Sequence, residues 1–189
     1  MTDLDGVVAA VEQRRSVLDR VVVAISGYAG AGKSVLARAL VDTLDDAVRV
    51  RGDDFLEPSL VHRRSAAWDG VDRGRLRTEV LEPFRAGRPV TVRALDWTSQ
   101  QLGAATPLPH ASVLVLDAVG IFHPDLLPWF DLTVWVDVDL DVAQARGIAR
   151  DRAAGLDHDV LWTQVWAPND REFEQTFLPA DRSDVRYVS

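Results

Sequence analysis

The chain has 189 residues, a length typical of one domain with a sizeable core. Its net charge is −8, so an extended basic face is not expected and a polynucleotide is an unfavourable partner. The absence of cysteine excludes disulfides and thiolate metal sites. No stretch is long and apolar enough to span a membrane, and residues 1–20 do not resemble a signal peptide, so we expect a cytoplasmic protein without a membrane partner.

The hydrophobic pattern predicts strands that alternate with helices along the chain. The predicted helices are residues 1–19, 33–44, 73–85 (strained or ended near Pro83), 139–153 and 158–178 (interrupted near Pro168). The predicted strands are residues 21–25, 47–51, 113–117, 131–138 and a short last one within 184–188, with a hairpin arm at 90–97. Such alternation is typical of a mostly parallel sheet, so we expect a single α/β domain over residues 1–189.

A glycine-rich segment follows the first predicted strand. Its sequence, G-Y-A-G-A-G-K-S at residues 27–34, matches the phosphate-binding loop G-x-x-x-x-G-K-[ST] in a strand–turn–helix context. Lys33 is the only lysine, whereas the other 20 of the 21 basic residues are arginines, which indicates that this position requires a compact ammonium group. The predicted nucleotide-binding residues are Gly27, Tyr28, Ala29, Gly30, Ala31, Gly32, Lys33, Ser34 and Val35.

The loop pattern assigns roles to two side chains. Lys33 is expected to reach the β- and γ-phosphates, and the Ser34 hydroxyl is expected to bind Mg²⁺. Guanine-binding GTPases identify the base with an Asn-Lys-x-Asp segment, for which this chain has no second lysine. ATP with Mg²⁺ is therefore the expected nucleotide.

Two adjacent carboxylates follow the second predicted strand, at the edge of the sheet where the phosphate site lies. A carboxylate there can accept the proton of an attacking hydroxyl, as phosphoryl transfer to an alcohol requires. We predict that Asp53 is this general base, with Asp54 on the magnesium or in the turn. The alternative is that both residues only cap the following turn, as Asp commonly does.

Further along the chain, one acidic and two basic residues fit the same site. Asp117 ends a run of four apolar residues, a pattern typical of the carboxylate that orients magnesium through water; the alternative is a turn residue before Gly120. Arg146 and Arg150 are four residues apart and share a helical face, so they can close over a triphosphate as a lid at about residues 146–157. The alternative for both is a solvated helix end.

Two acid–aromatic pairs occur in polar segments, namely Trp68-Asp69 and Asp96-Trp97. An aromatic ring beside a carboxylate suits a sugar or nucleoside, because the ring stacks and the acid accepts hydrogen bonds from hydroxyls. For each tryptophan taken alone, core packing is the safer interpretation. The histidines show no metal-ligand spacing, so none is assigned to a metal.

Six segments of the chain occur in the order found in the uridine kinase-like family. They are the phosphate loop, Gly52-Asp-Asp-Phe55, Trp68-Asp69, Leu95-Asp-Trp97, Val113-Leu-Val-Leu-Asp-Ala118 and Arg146-x-x-x-Arg-Asp151. This family includes relatives that act on nicotinamide riboside, pantothenate and phosphoribulose. The resemblance spans about residues 20–178. It implies a P-loop fold like that of the nucleoside monophosphate kinases, with a five-stranded sheet, a mobile lid, ATP and Mg²⁺.

By motif match, the resemblance implies that Asp53 is the general base, that Asp69 contacts substrate hydroxyls and that Asp96-Trp97 lines the acceptor pocket. Three regions depart from the family. The third strand ends in Asp117-Ala118 instead of Glu-Gly, and the aromatic–acid–aromatic run of the hairpin is Leu95-Asp96-Trp97, without its first ring. The lid helix has Ala143 and Gly147 where arginine is common.

Three functions follow from these motifs. The first is a kinase for a small acceptor such as a nucleoside or riboside. The second is a kinase for a non-nucleoside alcohol such as pantothenate. The third is an ATP-binding regulatory protein without catalysis. A homo-oligomer is compatible with each of them.

Overall fold

The computed structural model describes residues 1–97 and 99–188, and a parallel sheet forms its centre. The strands are β1 Val21–Ser26, β2 Ala47–Arg51, β3 Thr91–Val92, β4 Leu95–Asp96, β5 Gln101–Leu102, β6 Thr106–Pro107, β7 Val113–Asp117, β8 Leu132–Val136 and β9 Val185–Tyr187. Within the described residues, the central sheet has five parallel strands in the order β2-β7-β1-β8-β9. Every residue of β1, β7 and β8 is buried, which accounts for their continuous apolar runs. The predicted α/β fold is confirmed.

Helices flank the sheet and connect its strands. They are α1 Leu4–Arg15, α2 Lys33–Thr43, α3 Arg73–Leu76, α4 Glu82–Arg85, α5 Leu140–Ala153, α6 Asp159–Leu161 and α7 Ala167–Phe177. Helices α1 and α2 pack against each other and against the sheet, and α1 contributes Val7 and Val11 to the core. Across the described part of the chain, none of the helices is both long enough and apolar enough to cross a membrane.

Two prolines lie within continuous helical segments. Helix α3 continues through a π-helical turn at Arg77–Leu81 into α4, whose second residue is Pro83. Helix α6 continues in the same way through Trp162–Trp166 into α7, whose second residue is Pro168. Proline has no N–H to donate to the carbonyl four residues earlier, and a wider turn accommodates the missing bond. At the two prolines, where an interruption was expected, the helix therefore continues through one wider turn.

The predicted hairpin arm belongs to two short antiparallel ladders. Strand β3 pairs with β6, and β4 pairs with β5. These ladders extend from the chain between α4 and β7, and Leu95 of β4 packs inward whereas Asp96 faces outward. The ladders therefore form a small lobe beside the segment that follows β2, which β4 contacts.

The two ends of the described chain meet at one edge of the sheet. Thr2 forms a parallel bridge with Tyr187 of β9. The Thr2 N–H donates to the Arg186 carbonyl at 2.8 Å, and the Val188 N–H donates to the Thr2 carbonyl at 3.2 Å. The first residues thus extend the sheet beyond its last strand.

Candidate active site

The phosphate loop connects β1 to α2 and lies directly under α5. Gly30 has a φ of 84°, and a Cβ atom built on it would lie 2.1 Å from the carbonyl oxygen of Ala143 in α5. Only glycine satisfies both the left-handed conformation and this close approach. Gly32, with a φ of 104°, caps the start of α2. The loop is therefore fixed between the helix that it opens and the predicted lid helix.

The ammonium group of Lys33 is folded back onto the loop. Its Nζ donates to the carbonyl oxygens of Gly27 at 3.0 Å and Tyr28 at 2.8 Å. Burial lowers the pKa of Lys33, and the nearby carboxylates of Asp170, Asp53 and Asp117 act in the opposite direction. These negative charges favour the charged form, which is the form that binds phosphate.

Ser34 and Asp117 lie together, as their predicted roles at a magnesium site require. The Ser34 hydroxyl donates to Oδ2 of Asp117 at 2.7 Å. Arg49 of β2 holds the same carboxylate with two bonds, from Nε to Oδ1 at 2.6 Å and from Nη2 to Oδ2 at 2.9 Å. Because both carboxylate oxygens are engaged, Asp117 suits an orienting role behind Ser34 better than a direct role as a metal ligand.

Arg49 was not singled out from the sequence. It lies on β2 opposite Val115 of the neighbouring β7, and its partner Asp117 is 68 positions away in the chain. The only local signal for Arg49 is that it occupies a half-buried position in a strand that alternates between buried and half-buried residues.

Replacing Arg49 with Met should lower the free energy of unfolding by roughly 3 kcal/mol, because a buried carboxylate would lose its countercharge. The side chain of Asp117 is 3% exposed, so water cannot replace that partner. Urea unfolding measures the difference. Arg51→Met, on the exposed end of the same strand, is the matched control and should change stability by less than about 0.5 kcal/mol. Equal effects of the two substitutions would contradict the argument.

The two carboxylates after β2 have different surroundings. Both lie in a 3₁₀ turn at Gly52–Phe55, where Asp53 is exposed and Asp54 is buried. Arg51 at the end of β2 pairs with Asp117, which pairs with Ile25 near the end of β1, so Asp53 lies at the edge of the sheet from which the phosphate loop starts.

Asp54 faces the small lobe instead. Burial raises the pKa of Asp54, a hydrogen bond from the Leu95 backbone opposes this shift, and the Asp54 carbonyl accepts a bond from Arg75. These contacts favour a structural role for Asp54 over its predicted place on the metal.

The predicted lid arginines lie on α5, and both are exposed. Arg150 donates to Asp151 from Nε at 3.0 Å and from Nη2 at 2.8 Å, and its charge reaches Lys33. Burial alone would raise the pKa of Asp151, but hydrogen bonds from Trp162, Arg150 and His158 lower it on balance. Ala143 and Gly147 of α5 face Gly30 of the phosphate loop, and Arg146 and Arg150 each follow one of them by three residues on the same helix.

The predicted substrate residues are divided between core and surface. Trp68 is buried, and its indole N–H donates to Asp170, so its ring packs and does not offer a stacking face. Asp69 is exposed and accepts a hydrogen bond from Ser65 at 2.7 Å. Asp96 and Trp97 are exposed on the small lobe. The structure therefore favours core packing for Trp68 and leaves the other three side chains accessible.

Tyr28 turns its side chain away from the phosphate position. Its ring meets Trp135 edge-on with the centroids 5.4 Å apart. Burial raises the pKa of Tyr28, as does a hydrogen bond with Glu174 of α7. A cavity of about 350 Å³ opens beside this ring, next to the phosphate loop. The Tyr28 side chain is thus engaged by Trp135 and Glu174.

The sequence is 27% identical to a uridine kinase of Deinococcus deserti over 141 residues, which are 69% of this chain and 68% of that protein. The fold matches a structure from Bacillus stearothermophilus, provisionally described as a uridine kinase, with a TM-score of 0.74, 16% identity and coverage of 97% of this chain and 96% of the other. The resemblance to the uridine kinase-like P-loop kinases is confirmed.

A second solved structure shares this fold. It comes from Silicibacter sp. TM1040 and is provisionally described as a fructose transport system kinase, with a TM-score of 0.78, 23% identity and coverage of 98% of this chain and 99% of the other. No protein-family model matches the chain. At these identities the solved structures show the fold alone.

Local packing accounts for small residues at two places near the site. A Cβ atom on Gly147 would lie 2.2 Å from the Trp162 ring, so that ring occupies the space of a side chain at this position. A Cβ atom on Gly52 would lie 2.0 Å from the Cβ of Ala118, so the methyl group of Ala118 fills that space. Gly147 in α5 and Gly52 after β2 are therefore positions where a larger side chain would clash.

Proposed function

We propose that the chain transfers the γ-phosphoryl group of ATP to a hydroxyl group of a small molecule, with a nucleoside or riboside as the first acceptor class. The observation that carries this proposal is the exposed carboxylate of Asp53, which follows β2 at the edge of the sheet where β1 leads into the phosphate loop. A triphosphate site alone would require only the loop. An exposed carboxylate at the same edge of the sheet supplies the group that phosphoryl transfer to an alcohol also needs.

The phosphate loop holds the donor in this proposal. Backbone N–H groups of the loop and the N-terminus of α2 surround the phosphates, and Lys33 neutralises the β- and γ-phosphates. The hydroxyl of Ser34 and, behind it, the carboxylate of Asp117 would hold Mg²⁺; their separation of 2.7 Å fits this assignment. When bound, Mg²⁺ supplies positive charge that offsets the phosphate oxygens.

The transfer itself forms a bond between the acceptor oxygen and the γ-phosphorus. The bond from that phosphorus to the bridging oxygen breaks, and ADP leaves with the electron pair. Asp53 takes the proton that the acceptor hydroxyl releases. Arg150, held by Asp151, and Arg146 offset the negative charge that develops on the transferred group. Asp69, Asp96 and Trp97 are the proposed acceptor contacts.

The test is a panel of acceptors incubated with ATP and Mg²⁺ and read by mass spectrometry. The panel should contain nucleosides, other ribosides, pantothenate and free sugars, because the named relatives act on uridine and are linked to fructose. We expect a product 80 mass units heavier, the mass added by one phosphoryl group, with a single acceptor class. Tight ATP binding without product from any class would contradict the proposal and favour the ATP-binding regulatory alternative.

A further inference from the structure

The carboxylate of Asp170 lies between two segments that are distant in the chain. Its Oδ2 accepts a hydrogen bond from the Ala29 N–H of the phosphate loop at 2.8 Å. Its Oδ1 accepts one from the indole N–H of Trp68 at 3.1 Å. Asp170 itself is the fourth residue of α7. One buried side chain thus joins the phosphate loop to the segment of residues 57–72, which is called the 57–72 loop below.

Only a carboxylate satisfies both of these partners. Each partner is an N–H donor, and each occupies a different oxygen of Asp170. An asparagine at this position would offer one oxygen and one NH₂ group, so one donor would face another donor. The residue type is therefore dictated by the two segments that it connects and not by packing volume.

This arrangement is kept at a cost to stability. Burial raises the pKa of Asp170 to about 6, although the charge of Lys33 favours its ionised form and Glu174 opposes it. Trp68 in turn has a φ of 52°, a left-handed conformation that is unfavourable for a bulky residue. Strain and buried charge at the same contact are typical of functional positions.

The residue before Asp170 holds the same loop. The Oδ1 of Asn169 accepts hydrogen bonds from the Ser65 N–H at 2.9 Å and from Arg64 Nε at 3.1 Å. Its Nδ2 donates to the Arg63 carbonyl at 2.9 Å. The first turn of α7 therefore fixes the 57–72 loop at several points, and Asp170 extends the connection to the phosphate loop.

We propose that Asp170 is a positioning residue that couples the phosphate loop to the 57–72 loop, so that a nucleotide on the phosphate loop orders the segment carrying Asp69. A bound phosphate draws the loop amides toward itself, and a shift of the Ala29 N–H passes through the carboxylate to the Trp68 indole. This inference rests on the proposed function, which assigns the phosphate loop to the nucleotide and Asp69 of the 57–72 loop to the acceptor. The coupling itself requires nucleotide binding but no turnover.

The test is amide hydrogen exchange of residues 61–72 with and without ADP and Mg²⁺. In the wild-type chain we expect ADP to slow exchange in this segment about tenfold, which corresponds to an ordinary allosteric coupling. In Asp170→Asn and in Trp68→Phe the effect should fall below about twofold. Asp42→Asn, an exposed carboxylate on α2, is the charge-matched control and should behave as wild type.

Trp68→Phe keeps an aromatic ring but removes the N–H donor together with part of the indole, and it leaves Asp170 in place, so it decides the question if Asp170→Asn does not fold. A role confined to stability would leave the ADP-dependent protection of residues 61–72 unchanged in Trp68→Phe. That result would overturn the proposal, as would the absence of ADP-dependent protection in wild type. Failure to phosphorylate any acceptor would instead overturn the proposed function and leave the exchange result intact.

Discussion

Replacing Asp53 with Asn should lower kcat for the phosphorylated acceptor about 10²–10⁴-fold, because the amide cannot take the proton of the acceptor hydroxyl. The substitution keeps the size of the side chain and removes an exposed charge, so the fold and ATP affinity should change little. Product formation measured by mass spectrometry, together with calorimetric titration of ATP, separates the two effects.

The control for this variant is Asp45→Asn, which removes an exposed carboxylate just beyond α2. It should keep full activity. If Asp53→Asn turns over at the wild-type rate, the proton goes to another group, and the assignment of Asp53 as general base is wrong.

Lys33→Arg should reduce phosphoryl transfer by at least about 10²-fold even though the positive charge is retained. The ammonium fits between the carbonyl oxygens of Gly27 and Tyr28 in a buried site. A planar guanidinium is larger and cannot make the same two contacts without displacing the loop. ATP affinity, measured by titration, should fall as well.

The matched control for Lys33→Arg is Arg38→Lys, the opposite exchange at an exposed position of the same helix. We expect activity and ATP affinity within about twofold of wild type for that variant, since surface substitutions of this kind have small effects. An active Lys33→Arg enzyme would show that the site requires only a positive charge.

Features that are contiguous in the chain were predictable from the sequence. The phosphate loop combines a buried strand, glycines with special backbone angles and a helix start within 14 residues, so its geometry follows from local sequence. The strands were predictable for the same reason, because β1 and β7 are buried along their whole length. The location of Asp53 and Asp117 at one edge of the sheet was predictable because parallel strands end at the same edge.

The contacts that organise the site across the chain were not predictable. The pairs Arg49–Asp117 and Ala29–Asp170 join residues separated by 68 and 141 positions, and neither has a local pattern. Trp68 was ambiguous because an aromatic beside an acid fits both a sugar platform and a core residue. Its burial depends on Gly120, since a Cβ atom there would lie 2.5 Å from that of Trp68. Only the assembled fold brings these residues together.

The bridge between Thr2 and Tyr187 brings the first and last described residues side by side at one edge of the sheet. A short peptide could join residue 188 to residue 2 without crossing the core. New ends could then be opened in the exposed segment 103–105, between β5 and β6. Such a circularly permuted chain would keep the parallel sheet, the phosphate loop and the Asp170 contact. A new connection at the β9 edge would thus leave the opposite edge of the sheet unchanged, where β2 leads into the segment that carries Asp53.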